Sequence, residues 1–274
     1  MNFSAVELSI LLPAFAAGVL VTATHVPLGT QVLARGIVFI DLAIAQIAGC
    51  GVLLADQLGF EPQGAAVQIA ALTAAIAGAL LLTWTERRWP DVQEAVIGVT
   101  FVLGATGSVL LLASNVHGSE HLRDLLVGQV LWVQWKGLAW TAAVYLLVLV
   151  AWFGFRERLG RTGFYVLFAV AVTVSVQLVG LYLVFATLIV PPLATRRMAR
   201  HRLPAAWALG IAGYAIGLVL SATLDLPSGP LIVWVLASLA VISDTYLAMR
   251  RRPSGVATRQ TVARPPSRDV PAPD

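Results

Sequence analysis

Apolar stretches long enough to cross a bilayer recur from the first residues to about residue 247. A membrane-crossing helix needs roughly 20 mostly apolar residues. Such windows fall near 5–24, 36–56, 64–84, 94–114, 130–153, 204–223 and 230–247, and a further apolar block runs over 164–194. Hydrophobic residues make up 58% of the chain and charged residues 12%, with a mean hydropathy of +0.84. A soluble chain of 274 residues needs far more charge to cover its surface. The expected class is an all-α polytopic membrane protein. It has about eight transmembrane helices plus a short broken-helix pair in 164–194.

The connecting segments are short, so the permanent extramembrane parts are small. A transmembrane domain is expected over 1–248 and a disordered cytoplasmic tail over 249–274, where Pro, Ser, Thr and Arg dominate. The formal charge of +4 does not indicate nucleic acid binding, because the arginines cluster at span ends. That placement suits orientation and the bilayer's anionic headgroups. The first basic residue is Arg35, so the start does not read as a cleavable signal, and the first span is expected to persist. The eight tryptophans suit interfacial belts.

Arginine and lysine collect in cytoplasmic loops. Arg87 and Arg88, then Arg156, Arg158 and Arg161, then Arg196, Arg197, Arg200 and Arg202 mark three such loops, and Arg250–Arg252 place the C-terminus inside. Counting back puts the N-terminus outside and a 25–35 loop inside, with loops near 57–63 and 115–129 outside. A single crossing over 164–194 would put the four-arginine loop outside. Two shortened crossings with a bend near Gln177–Gly180 keep it inside. Irregular backbone at membrane depth survives only when buried or lining a wet cavity, so Gln177, Gly180, Pro191 and Pro192 are candidate pore-wall residues.

Charge inside a span points to function by default. Asp41 in GIVFIDLAIAQIAGCGV is the clearest case, either as an internal pair near the helix end or on a transport path. Gln46 follows five positions later, turned about 140° from Asp41, so the two do not share a helix face. His117, Glu120 and His121 spell H-x-x-E-H in an outer loop. The same pattern serves as a zinc-protease motif, as a metal handoff site or as ordinary loop chemistry. His25 and His201 read as interfacial, Glu94 as a helix N-terminal acid, and Asp244 has no evident partner. Cys50 is the sole cysteine, which excludes an internal disulfide and reads as a small buried residue. Lys136 is the only lysine and lies in no phosphate-binding G-x-x-x-x-G-K-[ST] loop, so the chain does not bind nucleotide that way.

Four segments carry a resemblance: DLAIAQIAGCGV, EAVIGVTFVLGATGSVLLL, VSVQLVGLYLVFATLIVPPLATRRMAR and LDLPSGPLIVWV. In this order they resemble the permease subunits of the bacterial zinc, manganese and iron ABC importers, with a type II-like fold. Common members carry Asp and His four apart in the second span. Here Gln46 stands where that His aligns, and Asp41 lies one place further back. The resemblance implies a non-catalytic subunit of the bacterial inner membrane. A second permease copy, cytoplasmic ATP-binding subunits and an extracytoplasmic metal-binding protein would be its partners. No cofactor would be held permanently: the divalent metal, zinc first, is cargo, and ATP acts through the partner. Thr195, Arg196, Arg197 and Arg200 lie where the family docks its ATPase. An ion-coupled secondary transporter working through Asp41 and an intramembrane metalloprotease built on the H-x-x-E-H loop are the alternatives.

Overall fold

The computed structural model describes residues 5–61, 64–112, 130–198 and 200–250. His117, Glu120, His121 and nearly all of the 249–274 tail lie outside the described residues. The helices are α1 (Ala5–Arg35), α2 (Ile40–Gln57), α3 (Ala65–Arg88), α4 (Gln93–Leu112), α5 (Trp135–Val179), α6 (Leu181–Ala194), α7 (Arg202–Leu224) and α8 (Ser228–Arg250). Helix α5 is two spans in sequence, Trp135–Phe155 and Glu157–Val179, bent at Gly160, whose φ of 58° and ψ of −158° are not helical. Eight stretches among the described residues are thus long and apolar enough to cross a membrane, with the 14-residue α6 as a shorter apolar helix. Helices dominate because hydrocarbon offers no partner to backbone N–H and C=O groups, so each span must satisfy its own.

The 164–194 block breaks at Gly180, with φ of 85° and ψ of 160°. Such angles are essentially open only to glycine. Its first helix begins earlier than expected, because the two halves of α5 meet directly at the Gly160 bend inside RERLGRTG, with no separate loop between them.

The expected loop at 25–35 is instead helix, and α1 runs unbroken to Arg35 despite Pro13 and Pro27. Proline lacks an N–H, so Pro27 leaves the Ala23 carbonyl without its intrahelical donor. The Trp207 indole of α7 supplies one, donating to the Ala23 carbonyl at 3.3 Å. Helix α6 repeats the device: Pro192 frees the Leu188 carbonyl, which turns onto Gly29 of α1. A methyl group at Gly29 would overlap that oxygen. Small residues let membrane helices approach in this way, where van der Waals packing replaces a hydrophobic driving force.

Helix α6 packs between α1 and α8, while α2 is flanked by α3, α4 and α5. The buried core runs through α1, α2, the second half of α5 and α6, including Ile40, Ile44, Phe168, Leu183 and Leu188. Helices α4 and α8 lie at the periphery with most of their apolar side chains exposed.

The basic segments gather at one end of the bundle. Arg35 stacks over Phe164 with its guanidinium carbon 4.3 Å from the ring centre. Arg161 lies 3.9 Å from Glu86, Arg87 donates to the Thr162 hydroxyl at 2.7 Å, and Arg197 pairs with Asp244 at 3.5 Å. Asp244, unexplained in the sequence, therefore answers the arginine loop. Trp84 and Trp89 are exposed near this end, and Trp132, Trp135 and Trp140 are exposed near the start of α5. That distribution forms two interfacial belts.

Candidate functional site

Gln46 projects from the middle of α2 into a cleft between α2, α4 and the α5–α6 break. Ser108 of α4, Thr173 and Gln177 of α5, and Leu181 of α6 complete its wall. The cleft is narrow, with a cavity volume of about 20 Å3, room for about one water. It occupies the half of the bundle away from the arginine-bearing ends, because α2 runs from Ile40, just past Arg35, toward Gln57. The backbone of α4 approaches closely here, since a side chain at Gly104 would meet Gln46 Cβ at 2.9 Å. The glycine therefore holds α4 against the face of α2 that carries Gln46.

The polar groups of this wall are neutral. Thr173 is buried and its hydroxyl meets no partner among the described residues. Ser108 Oγ lies 3.3 Å from Cys50 Sγ, and the Cys50 thiol also donates to the Gly104 carbonyl at 3.2 Å. Cys50 is half-buried and ties α2 to α4 beside the cleft, a more specific place than a space-filling small residue. Above it, the Gln57 amide donates to the Leu111 carbonyl. Among the described residues, no three His, Cys, Asp or Glu side chains group as a metal site.

Asp41 is separate from this wall. It is fully buried in the first turn of α2, and among the described residues neither carboxylate oxygen has a close hydrogen-bonding partner. The donors that face it are the backbone N–H groups of Asp41 and Leu42. A carboxylate at this position gains from the unpaired N–H groups and the positive end of the helix dipole. Glu94 reaches the same entry from α4, toward the N–H groups of Val38 and Phe39. Its acidic position thus serves α2 as well as its own helix.

His25 is not interfacial. It is fully buried in α1, its Nδ1–H donates to the Val21 carbonyl at 3.0 Å, and its ring meets Tyr145 edge-on with centres 6.3 Å apart. Nearby, the hydroxyls of Tyr145 and Ser175 bond to one another, and those of Tyr214 and Thr187 do so at 3.0 Å. These pairs join α5 to itself and α7 to α6 within the core. Sequence reading missed them because isolated Ser, Thr and Tyr residues in apolar spans carry no pattern. Gln93 was missed for the same reason: it is buried, its amide donates to the Leu82 carbonyl at 3.0 Å and its carbonyl accepts from Thr85 at 3.1 Å.

At the arginine end, Pro191 and Pro192 are buried inside α6. Thr195 is buried at its C-terminus, donating to the Pro191 carbonyl at 3.0 Å. Arg196 and Arg200 are exposed, and Arg197 holds Asp244 of α8. The structure therefore separates three groups: the neutral cleft at Gln46 and Gln177, the enclosed carboxylate of Asp41, and the basic loop after α6.

Comparison with known proteins identifies the family and the fold. The model of the ABC 3 transport family covers residues 7–164 and 151–246. An uncharacterized membrane protein of Synechocystis sp. is 25% identical over 260 residues, covering 87% of this chain and 90% of that protein. The "Probable iron transport system membrane protein" of Haemophilus influenzae is 25% identical over 182 residues, covering 58% of this chain and 67% of that protein. The fold is similar to PsaBC from Streptococcus pneumoniae in complex with Fab, with a TM-score of 0.67 and 21% identity over 88% of this chain and 94% of that one. It is also similar to a transporter described as metal-chelate type in an inward-facing conformation, with a TM-score of 0.63 and 16% identity over 90% of each chain. The resemblance to metal-importer permeases holds, and the family sets aside the secondary-transporter and protease readings. With its helical spans and without a nucleotide-binding loop of its own, the chain belongs to the ABC 3 transport family, as a multi-pass, non-catalytic permease subunit.

Proposed function

We propose that this permease imports a divalent metal ion, with zinc the first candidate among zinc, manganese and iron, along a path that passes Gln46 and Gln177. The observation that carries the reading is the cleft between α2, α4 and the α5–α6 break, in a chain of the ABC 3 transport family. Two copies of the permease would enclose the path. An extracytoplasmic binding protein would deliver the cargo, and a pair of cytoplasmic ATPase subunits would dock on the loop around Thr195, Arg196, Arg197 and Arg200. The exposed basic side chains after α6 suit an acidic partner surface. The orientation that follows has the N-terminus outside and the C-terminus in the cytoplasm. Zinc leads because an H-x-x-E-H loop would offer imidazole donors, which zinc favours. Iron draws support from the name of the Haemophilus influenzae relative.

A second reading is import of a metal already held in a chelate. It is favoured by the cleft's neutral amides and hydroxyls, since a bare divalent ion out of water calls for charged or numerous oxygen donors.

The deciding experiment measures zinc, manganese and iron uptake in cells lacking the chain. They keep its partner subunits and are complemented with wild type or Gln46→Leu. The expected result is that wild type restores uptake of one ion and that Gln46→Leu, which keeps the side chain's bulk but removes its amide, lowers it by about tenfold, one lost polar contact. Unchanged uptake of all three ions in every strain would reject free-metal import and leave the chelate.

A further inference from the structure

At the arginine end, a groove with a cavity volume of about 140 Å3 opens between the last third of α1, the end of the first half of α5 and the start of α7. A single water needs about 10–15 Å3 on that measure. Pro27, Trp152, Phe153 and Leu203 form apolar walls, Thr30 sits on the α1 side, and Arg202 closes the opposite side. Among the described residues, no acidic side chain lines it. A second hollow shares Phe153 with the groove and is lined by both Glu157 and Arg158, so the unbalanced positive charge belongs to Arg202 in the groove itself.

Arg202 differs from the other arginines of its loop. Arg196 and Arg200 are exposed and Arg197 engages Asp244, whereas Arg202 is half-buried, its Nε enclosed and without a hydrogen-bond partner among the described residues. A guanidinium brought partly out of water without a carboxylate calls for an anion with several oxygens. Phe153, 57% exposed, leads from this cation along the membrane-facing side of α5. An anionic group above an apolar wall, at the depth where the helices leave the bilayer, is the chemistry of a phospholipid rather than of a protein side chain.

We infer that the α1–α5–α7 groove holds an anionic phospholipid, its phosphate on Arg202 and an acyl chain against Phe153 and Leu203. Charge complementarity favours this occupant, since basic pockets between membrane helices on the cytoplasmic side are suited to anionic headgroups. The lipid would wedge α7 against α1 and the bend of α5, beside the loop proposed to receive the ATPase.

The test is native mass spectrometry of the assembled transporter in detergent, titrated with phosphatidylglycerol and, separately, phosphatidylethanolamine. Wild type is expected to retain phosphatidylglycerol preferentially. Arg202→Gln should lower its occupancy about fivefold, the worth of one basic contact near the surface. Leu203→Trp, which fills the wall and keeps the charge, should lower it as well. Arg88→Gln, which removes a charge outside the groove, where it sits 5.9 Å from the Trp89 ring centre, should leave it unchanged. Equal losses from Arg88→Gln and Arg202→Gln would overturn the site in favour of general surface charge. Unchanged lipid occupancy in Leu203→Trp, or loss of the ATPase subunit rather than lipid in Arg202→Gln, would overturn it in favour of protein docking.

Discussion

Two prolines show how single residues shape this membrane core. Pro27 and Pro192 each free a carbonyl one turn earlier, and each carbonyl is met by another helix: Ala23 by the Trp207 indole and Leu188 by the flank of Gly29. The α1–α6 contact thus depends on the absence of a side chain at Gly29. Gly29→Ala is expected to destabilise the permease by about 1–3 kcal/mol, the usual cost of overpacking, read as a lower melting temperature of the purified transporter. At this scale the sequence was partly legible. A polar residue in an apolar span announces itself, and the helical turn between Asp41 and Gln46 separates the enclosed carboxylate from the cleft wall. His25 was misplaced because Pro27 reads locally as the end of a helix. The group that makes it tolerable, Trp207, lies 184 residues away from Ala23.

Among the elements, α5 and α6 carry the irregularity that the cleft needs. Gly160 and Gly180 adopt angles essentially reserved for glycine, with φ of 58° and 85°. Gly180 ends one wall helix and starts the other. Gly180→Ala is expected to cost about 1–3 kcal/mol of backbone strain and to lower transport more than assembly. Comparing uptake with the amount of intact complex in the membrane checks this, and normal uptake would remove the break from the mechanism. This bend was legible because some 30 apolar residues had to cross twice and glycine offered the place to turn. The Gly160 bend was not legible: RERLGRTG carries the charges of a connecting loop, and the contacts of Arg161 and Thr162 with Glu86 and Arg87 of α3 lie beyond a local reading.

Over the whole molecule, the arginines of four separate segments converge on one face, joined by the Arg161–Glu86, Arg87–Thr162 and Arg197–Asp244 contacts. With Cys50→Ser as background, a single cysteine replacing Arg196 should react only with reagent given from the cytoplasm. One replacing Leu226, in the turn between α7 and α8 at the opposite end, should react from outside. Labelling of both from one side would refute the assigned orientation. The helical class and the apolar spans were legible at this scale because bilayer thickness acts on composition alone. The neighbours of each helix were not, because every span offers an apolar surface and only side-chain fit selects among them.

The α5–α6 pair also sets the electrical thickness of the protein. Phe164 lies level with Arg35, and from it to Val179 are sixteen residues, or about 24 Å of helix. The hydrocarbon core measures about 30 Å. With Phe164 set at one edge of that core, the turn at Gly180 stops about 6 Å short of the other edge, and Gln177 beside it is exposed. In the proposed orientation, water entering that recess would carry the outside potential inward, and the transmembrane voltage would fall across a thinner insulating layer. A cation brought to Gln46 would then leave its bulk surroundings for a shorter distance than the bilayer itself demands.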